Sequence, residues 1–182
     1  MTKRITTLKD YSDWTLSVWY SPKYAPNNND TTNISVMALG LAGEVSEVIA
    51  ECLNINVCES DTQHELGDVI YYWTRICNTF DIDISELYER SAMAASRNPE
   101  KQLTTLLLQL SKNSGLAADV IKKYIRDEKL NKPLLENKLC NLMSNLLNIL
   151  THYDYHLFDI INMNVEKIES RKKQKEEGKN AS

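Results

Sequence analysis

An all-α fold, a helical bundle, is predicted, and three observations predict it. Apolar residues recur every 3.6 positions along most of the 182-residue chain. No segment alternates with the period of two that marks a half-buried strand. Only five Gly and four Pro occur, which favours helices over a turn-rich β fold. With 42% hydrophobic and 25% charged residues the composition is that of a globular protein. The length supports one good core, or two small halves sharing one.

The elements follow in order. Residues 6–20 carry Leu8, Tyr11, Trp14, Leu16, Val18 and Trp19, a short amphipathic helix rich in aromatics. Residues 21–33, SPKYAPNNNDTTN, hold two Pro and five Asn or Asp and form a loop. A long helix runs from Thr32 to Leu53. Its partner begins near Ser60, where Ser60-x-x-Gln63 has the form of a capping box, and ends near Phe80. Asp83-x-x-Glu86 caps a further helix that Asn98-Pro99 breaks. Leu103, Leu106, Leu107, Leu110, Leu116, Ala117, Val120, Ile121 and Ile125 trace one helix or two abutting ones, with Gly115 as the place for a kink. Pro133 opens the next, whose period runs from Leu135 to Leu150. A last helix, His156 to Lys173, grades into KKQKEEGKNAS, expected to be frayed or disordered.

The N-terminus has no charged-then-apolar signal pattern, and no apolar run approaches membrane-spanning length. Cys52, Cys58, Cys77 and Cys140 form neither a CxxC nor a Cys/His cluster. They are expected to be buried thiols in a reducing compartment, which points to the cytoplasm and away from zinc. The net charge of −4 is uneven: residues 1–98 sum to −7 and residues 99–182 to +3. Neither half has the long basic stripe of a nucleic-acid binder.

Chemistry concentrates in two acidic pairs at helical i, i+3 spacing, Glu44-x-x-Glu47 and Glu65-x-x-Asp68. Both lie in apolar stretches, LGLAGEVSEVIA and HELGDVIYYW, where ordinary surface carboxylates would have polar neighbours. Carboxylates in such surroundings are costly unless a cation pairs with them. Four oxygen donors converging from two helices suit a hard divalent cation, Mg2+ above all, or two of them. His64 lacks the ExxH spacing of di-iron bundles and is expected to face solvent.

Sliding the chain on itself by 72–74 residues produces a match. Residues 40–51 fall on 114–124, and residues 68–87 fall on 141–160. In this register Glu44 becomes Leu116, Glu65 becomes Lys138 and Asp68 becomes Asn141. The second copy keeps Asp119 and adds Lys122, Lys123 and Arg126. A duplication with residue losses at the chemical positions is the expectation.

LGLAGEVSEV followed by HELGDVIYY resembles the MazG-like all-α nucleoside triphosphate pyrophosphohydrolases, a superfamily that includes the dimeric dUTPases and phosphoribosyl-ATP pyrophosphatase. The resemblance is strongest over residues 35–75. It recurs in SGLAADVIKKYIRDEKL and in NMNVEKIESR, which is similar to the family's closing Asn-x-x-Lys-x-x-x-Arg segment. It implies Mg2+-dependent cleavage of the α–β phosphoanhydride of a (d)NTP, giving the monophosphate and pyrophosphate, with Mn2+ as a substitute metal. Glu44, Glu47, Glu65 and Asp68 would be the metal ligands, and Glu47 would share the role of base. Lys122, Lys123, Arg126, Asn164, Lys167 and Arg171 would hold phosphates, and Trp14 or Trp19 the base.

Where the family's Asn and Lys stand, the first copy shows Arg90 and Met93, while the second retains Asn164 and Lys167. The implied organisation is two degenerate repeats, 1–98 catalytic and 99–172 stripped, forming an intrachain pseudo-dimer with a tail at 173–182. The assembly is then a monomer or a homodimer. A dUTP/dCTP-selective diphosphatase and a relative that binds nucleotide or protein without catalysis are the alternatives.

Overall fold

The computed structural model describes residues 4–18, 31–54, 58–97, 99 and 102–180, among which it contains seven α-helices and no strand. These are α1 (Leu8–Val18), α2 (Thr31–Leu53), α3 (Glu59–Thr79), α4 (Ile84–Arg97), α5 (Leu103–Asp127), α6 (Lys132–His152) and α7 (Leu157–Asn180). No helix among them is long and apolar enough to cross a membrane.

Periodicity located the helices, and the ends show the local chemistry. Asp83 caps α4, its Oδ1 accepting from the backbone N–H groups of Ser85 (2.9 Å) and Glu86 (3.0 Å). Asn131 caps α6 by accepting from Leu134 N at 3.1 Å, with Pro133 in the first turn. The expected Ser60–Gln63 box is not made. The N-cap is Cys58, two residues before Ser60, so that α3 starts at Glu59, and Gln63 Nε2 instead donates to Glu59 Oε1 at 3.5 Å.

Helix α5 runs unbroken through Gly115, where an added Cβ would meet nothing within 4 Å. Helix α7 continues through most of the expected tail to Asn180. Its last turns are rich in Lys, Glu and Gln, good helix formers that the low apolar content obscured. Cys58 is exposed, unlike Cys52, Cys77 and Cys140.

One apolar cluster extends from Ile5 to Val165, so both halves of the chain share a core. Its centre lies on α3 and α6, where Leu66, Val69, Ile70, Trp73, Ile76, Leu139, Leu142, Met143, Leu146 and Ile149 are fully buried. The Trp73 indole N–H donates to the Leu139 carbonyl at 3.1 Å, which satisfies the one polar atom of that ring.

Helix α2 packs on α3, α5 on α6, and α2 on α5; α3 also carries α7, and α6 carries α4. Exchanging α2 with α5, α3 with α6 and α4 with α7 leaves this pattern unchanged. The turns after α3 and α6 also correspond. Asp81 and Asp154 both take left-handed backbone, with φ of 51° and 58°. Each is followed by a residue whose N–H reaches back to a carbonyl, Ile82 to Cys77 (2.9 Å) and Tyr155 to Leu150 (2.8 Å). Asp tolerates this conformation better than most residues. The turns fix the register of the two closing helices: α4 begins at Ile84 and α7 at Leu157, so Ser91 and Ala94 stand opposite Asn164 and Lys167, where Arg90 and Met93 were expected. Neither Ser91 nor Ala94 supplies an amide or an ammonium group.

Candidate metal centre

On α2, Val45 and Val48 point into the core and are almost completely buried. The one-turn spacing of Glu44 and Glu47 places both carboxylates beside that face. Leu66 anchors α3 in the same way beside Glu65. Ligand oxygens of Glu44, Glu47 and Glu65 all lie within 4.8 Å of one another, with Glu44 and Glu65 half-buried and Glu47 exposed. The arrangement is capable of holding a metal ion.

Electrostatics show what the crowding costs. Burial, and then the charges of Asp68, Glu47 and Glu65, push the Glu44 carboxyl up to about 7, against the opposing pull of Lys167. Burial also raises Glu65, opposed first by Lys167 and reinforced by Asp68 and Glu47. The Tyr72 phenol, raised by burial and by Glu44, Asp68 and Glu47, belongs to the same field. Its ring lies over Gly40, where an added Cβ would come within 2.3 Å of it. Half-buried carboxylates this close together either retain a proton or take up a cation.

The four acids expected to act together divide three and one. Asp68 faces α7, where its Oδ1 accepts from Asn164 Nδ2 at 2.5 Å and its Oδ2 pairs with Lys167 Nζ. The Asp68 and Lys167 side chains are only 14% and 12% exposed, so the pair is well shielded from water. Asn164 is fully buried. Helix α7 approaches so closely because residue 67 is Gly: a Cβ there would lie 2.9 Å from Asn164 Cβ. The i, i+3 rule placed Asp68 on the same side as Glu65. It carried no information about a partner almost a hundred residues away.

Beyond this pair, His64, Glu166, Lys167, Ser170 and Arg171 are among the residues lining an open cavity of about 350 Å³. His64 is half-buried there, so it does not simply face solvent as expected. Lys122 and Lys123 are exposed and both pair with Asp119 on their own helix, Lys123 at 2.8 Å. Arg126 forms a two-point pair with the adjacent Asp127. The ammonium that acts on Glu44 and Glu65 is Lys167.

Trp14 stacks on Tyr11 (5.6 Å, 15°), meets Tyr71 edge-on (6.3 Å, 74°) and donates its indole N–H to Glu169 Oε1 at 3.2 Å. It ties α1 to α3 and α7, and one of its faces is already covered. Trp19 lies outside the described residues. Tyr11 was read only as part of an amphipathic face. It is fully buried and donates its hydroxyl to Asn164 Oδ1 at 3.1 Å. No periodic signal connects residues 153 positions apart.

No family model, no curated protein and no solved structure matches the chain.

Proposed function

We propose that the protein is a Mg2+-dependent nucleoside triphosphate pyrophosphohydrolase that converts a (d)NTP to the monophosphate and pyrophosphate. The observation that carries this reading is the convergence of the Glu44, Glu47 and Glu65 carboxylates within 4.8 Å of one another. Hard oxygen donors with this crowding fit a divalent cation of the Mg2+ or Mn2+ type. Such an ion, when bound, neutralises the triphosphate and polarises the bond under attack. Glu47, the exposed member, is positioned to take a proton from the attacking water. Lys167 and Arg171, on the cavity beside His64, offer cations to phosphate oxygens.

The resemblance of the two acidic motifs to the MazG-like superfamily supports the same reading, and with it a fused pseudo-dimer of two repeats. The exchange symmetry of the packing favours duplication, as do the matched turns at Asp81 and Asp154. Asn141 of the second copy stands where Asp68 does in the first, and on α4, which packs on α6, Ser91 and Ala94 of the first copy stand where α7 has Asn164 and Lys167. A single catalytic centre is the consequence.

Pyrophosphate release from a panel of NTPs and dNTPs, with and without Mg2+, tests the proposal. Metal-dependent release is expected, and its absence across the panel would sink the reading. Glu44→Gln and Glu65→Gln should each lower turnover by more than the roughly 10–100-fold typical of losing an outer-shell partner. Lys167→Ala should chiefly raise KM.

A further inference from the structure

We infer that Tyr11 is a positioning residue for the acidic centre, whose buried hydroxyl fixes the side-chain amide of Asn164 and through it the carboxylate of Asp68. The chain of contacts crosses three helices. Tyr11 on α1 donates to Asn164 Oδ1 (3.1 Å), and Asn164 on α7 donates through Nδ2 to Asp68 Oδ1 on α3 (2.5 Å).

The orientation follows from what each group is able to do. A carboxylate only accepts, so Asn164 must present its NH2 to Asp68. Its carbonyl oxygen then points the other way, and in a fully buried side chain that oxygen needs a donor. Tyr11 supplies the donor from a site that is itself fully buried. Burial pushes its phenol well above its ordinary range, so the hydroxyl keeps its proton at any pH at which the protein works. The flipped amide would set its oxygen against Asp68, two acceptors at hydrogen-bond distance. Asp68 thus sets which way the amide faces, and Tyr11 completes that orientation by satisfying the oxygen left over, so that Asn164 is held at both ends beside the Asp68–Lys167 pair.

Around this line the packing leaves little slack. Trp14 stacks on the Tyr11 ring, and the missing side chain of Gly67 lets Asn164 sit against α3. Neither contact distinguishes the two amide orientations, because the two ends of an amide are nearly equal in size. Asp68 does, and the hydroxyl supplies the donor that the oxygen facing away from it then requires.

The bearing of Tyr11 on turnover rests on the hydrolase reading; its control of Asn164 does not. The test uses the full chain, 15N-labelled, with the Asn164 side-chain amide assigned by its disappearance in Asn164→Ala. In the wild type one amide proton should lie far downfield and exchange slowly with solvent. Tyr11→Phe, which removes one oxygen and keeps the ring under Trp14, should speed that exchange about tenfold. A second probe, 3,5-difluorotyrosine at position 11, keeps the hydroxyl but makes it a stronger donor and should shift the same resonance without loss of protection.

In hydrolysis assays Tyr11→Phe and Asn164→Ala should each lower kcat/KM, and the double variant should be no worse than Asn164→Ala alone. An unchanged Asn164 amide in both Tyr11 probes would overturn the inference, as would losses that multiply in the double variant. If the wild type releases no pyrophosphate, the hydrolase reading fails by itself and the amide measurement alone decides the role of Tyr11.

Discussion

Glu44 has three carboxylates for neighbours and one ammonium to offset them, and its pH behaviour follows from that imbalance. Its carboxyl is raised to about 7, so the metal-free fold favours the protonated form. That contribution to stability is fully present below the ordinary carboxylate range and is lost as pH rises through about 7. Added Mg2+ should therefore raise the melting temperature more at pH 8 than at pH 6. Glu44→Gln, which keeps the shape and removes the ionisation, should flatten that difference in a thermal-shift series. At this scale the sequence was informative about identity and blind to distance. Glu44, Glu47 and Glu65 were legible because carboxylates in apolar surroundings need a reason. The partners of Asp68 were not, because the i, i+3 rule describes one helix and Asn164 and Lys167 arrive from another. Lys122, Lys123 and Arg126 pair instead with acids on their own helix, Asp119 and Asp127.

Helices can approach only as closely as their side chains permit, and Gly67 marks a close approach between α3 and α7. Gly67→Ala gains helix propensity of about 1 kcal/mol. The new Cβ, however, would lie 2.9 Å from Asn164 Cβ, an atom next to the backbone of a side chain held at both ends. Overpacking of this kind costs roughly 1–3 kcal/mol, so a net loss of stability is expected in urea unfolding, together with weaker activity. Gly115→Ala is the control. Nothing lies within 4 Å of its Cβ, and it should stabilise the protein by about 0.5–1 kcal/mol. The seven helices were nearly all legible, since the 3.6-residue period reports burial directly. Their ends were less so. The expected box at Ser60 failed because the N-cap is Cys58, two residues earlier, and α7 outran its apolar stripe because Lys, Glu and Gln sustain a helix without a core to face.

Both halves of the molecule depend on each other for burial. Helix α2 covers α5, α7 covers α3, and a single apolar cluster runs through all of them. Residues 1–98 expressed alone should therefore lack fixed tertiary structure, giving helical far-UV but weak near-UV circular dichroism, whereas the whole chain should unfold in one cooperative transition. The internal match between halves was visible in sequence at the level of α2–α3 on α5–α6. The crossed packing of the closing helices, α7 on α3 and α4 on α6, was hinted at only by the complementary residues, acids in the first half and Asn164 and Lys167 in the second, because a linear alignment does not say which half a helix packs against. The packing of α7 on α3 sets an order of events during synthesis. Asp68 leaves the ribosome 99 residues before Lys167, an interval of about 5–20 s at roughly 5–20 residues per second. For that time the acidic motifs lack their counter-charge. The nascent chain must keep a cluster of repelling carboxylates soluble until the last helix closes over it.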